Sequence, residues 1–284
     1  MPIIYTGGPG ICGDKVAIAF HSEDVLGRIG EALDAAAHAL KPFVPGSVKA
    51  EYKSGDDPVT EADRAVNRVL HEILLRDGEG WLSEESVDDR SRLGKDRVWI
   101  VDPLDGTREF VSGIPEWCVS IAFVENGVAS AAGIANPVTG ETFLGSIERG
   151  VTYNGKTVQT SGRQDLAGAV VLASRSEVKR GEWNAFEGSS FSFHPMGSVA
   201  YKLARVAAGL ADATWTLTPK HEWDIAAGVA LVEAAGGFVS TLTEEQPRFN
   251  NESALLPGLI AGGAGLRASI FSFLRPHLDA RAVG

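Results

Sequence analysis

Apolar residues recur along this chain in two rhythms, first helical and then strand-like. Val25, Ile29, Leu33, Ala36, Ala37 and Leu40 are spaced as one buried face of a helix. Ser22 is placed to cap that helix, and Pro42 and Pro45 end it. Residues 1–21 read as an extension broken by Gly7-Gly8-Pro9-Gly10. A second helical face follows at Val66, Val69, Leu70, Ile73 and Leu74. Thr60 is its predicted N-cap and Asp63 its third residue, an approximate capping box.

The period then shortens. Residues 81–83 and 98–101 read as strands, and Pro103 is expected to end the second ladder because it has no N–H. Residues 119–124 and 129–135 flank Asn126-Gly127, a hairpin signal. Residues 141–145 and 151–153, with a turn at Asn154-Gly155, continue an antiparallel meander. After Asp165, strands (170–173, 213–217, 238–241, 259–261) alternate with helices (199–210, 222–235, 266–278). The predicted class is therefore α+β in residues 22–164 and α/β in residues 165–284.

Acids gather at the ends of these elements. The strand VWIV runs into Asp102-Pro103-Leu104-Asp105-Gly106-Thr107, which puts two carboxylates at its mouth beside a hydroxyl. Gly106 lets a backbone come close to a ligand. Asp57-Pro58-Val59-Thr60-Glu61-Ala62-Asp63 precedes the second helix, and Glu84-Glu85 follows a strand. Strand geometry lets only one of that glutamate pair face a given site. Asp224 sits in the first turn of a later helix. Each cluster alone also reads as a turn, a cap or a solvated edge. Together, several carboxylates with a hydroxyl and free N–H groups suit a hard divalent cation beside a phosphate.

DPVTEAD, SEES, DPLDGTREF and EWDIAAG, in that order, resemble the inositol monophosphatase superfamily of metal-dependent, lithium-sensitive phosphatases. The resemblance runs from about Val25 to the end of the chain. It implies a layered αβαβα sandwich with the site between its halves, and homodimers are common in the family. It also implies that Glu84, Asp102, Asp105, Asp224 and the Leu104 carbonyl hold two or three Mg²⁺ ions. Asp63 and Thr107 match the pair that, with Glu84, orients and deprotonates the attacking water. Gly106 and Thr107 match the phosphate-binding N–H groups, and Lys53 lies near the family's site lysine. Unpaired acids would repel one another, so Mg²⁺ is expected to stabilise the fold as well as to activate it.

The substrate branch is read from fewer residues. Arg108-Glu109-Phe110, Ser174-Arg175-Ser176 and Lys202 resemble the 3'(2'),5'-bisphosphate nucleotidase branch, which acts on 3'-phosphoadenosine 5'-phosphate. Extra Arg and Lys suit a ligand with two phosphates. Inositol monophosphatases carry a ring-binding glutamate seven residues before the helix-opening aspartate, where this chain has Leu217. The segment VSGIPEW (111–117) points the other way, towards an inositol-1-monophosphatase or another sugar-phosphate phosphatase. A catalytically silent metal- and phosphate-binding relative would be expected to lose Thr107, Asp63 or Glu84, and all three are present.

Composition narrows the partners. The net charge is −11, from 37 acids against 26 Lys and Arg, which argues against binding a nucleic-acid polymer. A small phosphorylated substrate is still compatible, because bound metal supplies local positive charge. Cys12 and Cys118 make no disulfide framework, so reduced thiols and a cytoplasmic setting are expected. No run approaches the roughly 18 apolar residues of a membrane helix, and no secretory signal is seen at the N-terminus. The six histidines show no zinc spacing.

Overall fold

The computed structural model describes residues 12–52 and 58–282. Lys53 and Asp57 therefore lie outside the described residues. The first helix, α1 (Cys12–Leu40), starts well before Ser22, so Ser22 is not its cap. After Gly13 the sequence has no Gly or Pro until Gly27, and nothing in it stops the helix from extending N-terminally. Helix α2 (Glu61–Leu74) has the expected capping box: Thr60 N–H donates to Asp63 Oδ2 at 2.8 Å, and Ala62 N–H donates to Thr60 Oγ1 at 3.1 Å.

A seven-stranded sheet follows: β1 (Gly80–Ser83), β2 (Arg97–Asp105), β3 (Cys118–Glu125), β4 (Val128–Asn136), β5 (Glu141–Ser146), β6 (Gly150–Tyr153) and β7 (Lys156–Val158), in that spatial order. β1 and β2 run parallel, and the remaining pairs are antiparallel. The ladder does not end at Pro103. The register shifts between Asp102 and Asp105, and Asp105 pairs again with Cys118. The irregularity takes up the residue that cannot donate, so the strand carries both acids to its tip.

A second sheet has the order β9-β8-β10-β12-β11, built from β8 (Val170–Ser174), β9 (Ser192–Met196), β10 (Ala213–Thr216), β11 (Gly237–Ser240) and β12 (Leu259–Gly263). β8 runs parallel to β9 and β10, while β12 runs antiparallel to β10 and β11. Between the sheets lie α5 (Val199–Ala207) and α6 (Glu222–Ala234), with the short α3 (Thr107–Ser112) and α4 (Arg175–Lys179) at strand ends.

Strand alternation sorts the core into layers. Trp99, Val101, Ile121 and Phe123 face α1 and α2, against Ile29, Leu33, Val66 and Leu70. Ile100, Ala122, Val124 and Ile134 face the other way, onto Leu203, Val206, Val229 and Leu231 of α5 and α6. The second sheet puts Leu172, Val239 and Ala261 on that same central layer. Its outer face packs Val171, Ala213, Trp215 and Ile260 on Ile270, Phe271 and Leu274 of α7 (Arg267–Ala282). The result is the expected αβαβα sandwich. Helix α6 is apolar all round because a sheet covers each side of it. A Cβ on its Gly228 would lie 2.3 Å from Leu203 Cβ, so glycine is what lets α5 and α6 cross closely.

Candidate active site

The tips of parallel β1 and β2 open on a cavity of about 190 Å³. A crevice at the carboxyl ends of strands is the usual ligand position in α/β sheets. Asp102, buried, accepts the Leu104 N–H at 2.9 Å on Oδ1. Asp105 Oδ2 accepts the Ser198 hydroxyl and the Ala200 N–H, both at 2.6 Å. Asp224 comes from the first turn of α6, where His221 N–H donates to its Oδ2 at 2.9 Å. One oxygen of each of these three acids lies within 4.8 Å of the others. Glu84, just past β1, lines the same cavity, as do Leu104, Gly106 and Thr107.

Crowding like charges has a cost that the structure displays. Burial, then the charges of Glu84, Asp105 and Asp224, push the Asp102 carboxyl well above the usual carboxylate range. Asp224 is raised in the same way by burial and by Asp105 and Glu84. Burial also raises Asp105, against the pull of its hydrogen bonds from Ser198 and Ala200. Three hard carboxylates converging on one point, all destabilised as anions by burial and two of them also by neighbouring acid charges, fit a divalent cation that prefers oxygen ligands.

Beside this cluster stands a hydroxyl–carboxylate pair. Thr107 Oγ1 lies 2.9 Å from Asp63 Oδ1 and 3.0 Å from the Leu104 carbonyl, and its single proton serves one or both. Asp63 is 1% exposed, and Thr60 Oγ1 donates to its other oxygen at 2.6 Å. The capping role and the site role thus coexist in one residue: Oδ2 holds the helix end and Oδ1 faces Thr107. Gly106 turns the chain with φ +100°, and a Cβ there would meet the Glu116 carbonyl oxygen at 2.9 Å. Only glycine fits both constraints.

The opposite wall is basic. Lys202 is 3% exposed, and its Nζ donates to the carbonyls of Ser198 at 2.8 Å and Met196 at 3.3 Å. Burial lowers its pKa to about 8, against the opposing pull of Asp105 and Glu177. Lys220 also lines the cavity, its Nζ 3.1 Å from Thr218 Oγ1 and 3.3 Å from Glu177. The sequence reading missed Lys220, although it stands four residues before Asp224, at the opening of a motif already singled out. Arg108 lies exposed at the rim. Arg175 lines the cavity, but its guanidinium forks onto Glu116 at 2.5 and 2.7 Å, so its charge is already matched. Leu217 packs against the core under α7 and is not among the cavity-lining residues.

A family model described as the inositol monophosphatase family matches residues 18–269. The chain belongs to the inositol monophosphatase family. It is 32% identical over 244 residues to an inositol-1-monophosphatase of Mesorhizobium japonicum, covering 83% of this chain and 89% of that one. It is 31% identical over 248 residues to the Nus factor SuhB of Pseudomonas aeruginosa, covering 81% and 88%. The solved structure of CysQ from Bacteroides thetaiotaomicron, a bacterial member of the inositol monophosphatase family, superposes with a TM-score of 0.67 at 28% identity, covering 87% and 97%. As a member of the inositol monophosphatase family, the protein is a phosphatase. Among its described residues, no helix is long and apolar enough to cross a membrane.

Proposed function

We propose that this protein is a Mg²⁺-dependent phosphomonoester hydrolase acting on a 3'(2'),5'-bisphosphate nucleotide, with 3'-phosphoadenosine 5'-phosphate yielding AMP and phosphate. The observation that carries the hydrolase reading is the convergence of Asp102, Asp105 and Asp224 beside the Thr107–Asp63 pair. In this reading Glu84, Asp102, Asp105, Asp224 and the Leu104 carbonyl hold two or three Mg²⁺ ions. Bound Mg²⁺ would lower the pKa of a water and neutralise charge building on the phosphoryl oxygens.

The chain's own groups do the rest. With the Thr107 proton directed to Asp63, the oxygen of Thr107 presents lone pairs to the attacking water. The water's proton passes to Thr107 as the Thr107 proton passes to Asp63. The Gly106 and Thr107 N–H groups receive phosphate oxygens. No Cys or His nucleophile is required, and Cys118 is buried with its thiol pKa raised by burial.

The nucleotide branch is supported by the basic wall and by the apolar side chain of Leu217 where inositol monophosphatases carry a glutamate. Hydrolysis of inositol 1-phosphate is the second reading, favoured by the named M. japonicum relative and by residues 111–117. Phosphate release from 3'-phosphoadenosine 5'-phosphate and from inositol 1-phosphate, with and without Mg²⁺, separates them. We expect Mg²⁺-dependent release with the nucleotide preferred. A preference for inositol 1-phosphate overturns the nucleotide assignment. Release from neither would favour a catalytically silent metal- and phosphate-binding role, whereas release that ignores Mg²⁺ removal would overturn the metal-dependent mechanism.

A further inference from the structure

We infer that Lys220, together with Lys202, receives a second anionic group of the substrate, carried on the alcohol that leaves. This deepens the phosphatase reading and rests on it. Both lysines line the cavity that holds the acid cluster, and both also line a small recess beneath it, floored by Leu203, Trp215 and Leu259. Each ammonium has three protons to place. Among the described residues, Lys202 Nζ meets the carbonyls of Ser198 and Met196. Lys220 Nζ meets Thr218 Oγ1 and the Glu177 carboxylate. One proton on each is left for the cavity.

Asp105 and Glu109 act on Lys202 through space, but among the described residues neither is in ion-pair contact with it. Glu177, 2% exposed, is the one carboxylate in ion-pair contact with the two ammonium groups among the described residues. It is shared with Thr216, Thr218 and Trp183, whose hydrogen bonds, with the Lys220 charge, hold its pKa below the usual range despite burial. Glu177 therefore acts as a positioning residue that holds Lys220 at the cavity edge. Arg175, by contrast, is spent on Glu116. A neutral polyol bound here would cover two ammonium groups without matching them, which is unfavourable. A phosphate or carboxylate would match both. Had the lysines served only to offset the acid cluster, they would act on every ester alike.

That difference is the test. Adenosine 3',5'-bisphosphate and adenosine 3'-monophosphate share the scissile ester and differ only in the 5'-phosphate. The full-length protein in Mg²⁺ should prefer the bisphosphate, chiefly through KM. In Lys220→Met the kcat/KM loss on the bisphosphate should exceed that on the monophosphate by at least tenfold, and Lys220→Arg should restore part of the preference. Thermal melting of each variant checks that it folds. Equal losses on both esters overturn the inference and assign Lys220 to the acid cluster. A wild-type protein that treats the two esters alike also overturns it and leaves the phosphatase reading standing. Failure to release phosphate from any ester in Mg²⁺ overturns that reading itself.

Discussion

The cavity has two walls of opposite sign, and they are built on different principles. On the acid wall, Asp102, Asp105 and Asp224 converge with Glu84 close by; burial raises all three aspartates, and neighbouring acid charges add to it for Asp102 and Asp224. On the basic wall each cation has its own anchor: carbonyls for Lys202, Glu177 for Lys220, Glu116 for Arg175. The acid wall is a set of converging carboxylates that could hold a cation, whereas each cation of the basic wall already has a protein partner. Such preorganisation lowers the cost of binding. In the reading proposed above, the acid wall would decide whether the chemistry happens and the basic wall on which ester.

Removing a central acid should have the largest effect. Asp102→Asn is expected to cut kcat by at least about 10³-fold, at the upper end of what one electrostatic group contributes. In metal-free buffer the same variant should melt higher than wild type, because it removes a buried charge that Glu84, Asp105 and Asp224 oppose. Near-normal turnover would dismiss the site assignment. Next comes Thr107→Val, which deletes the hydroxyl facing Asp63 while keeping a similar shape. A loss of roughly 10²-fold in kcat, with KM little changed, is expected for a proton-transfer group. A KM effect alone would instead make Thr107 a binding residue.

The acid wall should also set a pH-dependent response to metal. The raised pKa values of Asp102, Asp105 and Asp224 mean that the metal-free fold holds these protons more tightly than the unfolded chain does. Their contribution to stability is full below the ordinary aspartate pKa of about 3.9 and is lost as pH rises through the raised folded values. Mg²⁺ competes with those protons. The Mg²⁺-induced rise in Tm should therefore be small near pH 4.5 and largest near pH 7.5. At a hundredfold excess over Kd it would be worth about 2.7 kcal/mol. Differential scanning fluorimetry with EDTA or Mg²⁺ across that range measures it. A shift independent of pH would mean that the cation binds elsewhere.

How much could be read from the chain follows from how local each feature is. Asp63 was legible because Thr60 lies three residues away and the capping box is a local device. Asp102, Asp105 and Thr107 were legible because one strand end carries them all, although Pro103 misled about where the ladder stops. The hairpin at Asn126-Gly127 and the all-round apolar α6 follow from turn chemistry and burial pattern. The basic wall is assembled by pairings that no local pattern encodes. Glu116 meets Arg175 across 59 residues and Lys220 meets Glu177 from beyond β10, so Arg175 looked available and Lys220 was passed over. Helix α1 extends past Ser22 because a good cap residue does not oblige a helix to start there.

The smallest expected effect is the most specific about the basic wall. The Glu116–Arg175 pair is partly solvated, with side chains 22% and 39% exposed, so breaking it should cost no more than about 1 kcal/mol of stability. Glu116 also accepts the Gly197 N–H at 2.7 Å, at the turn that presents Ser198 to Asp105. Glu116→Gln keeps an acceptor for that N–H and removes the charge that holds Arg175. The freed guanidinium can then reach a second anionic group, and KM for a bisphosphate should fall about two- to threefold, the scale of a solvent-screened charge. KM for a monophosphate should move less. If kcat on both esters falls tenfold instead, Glu116 is holding the Gly197–Ser198 turn under Asp105, and the two walls are mechanically coupled rather than separate in role.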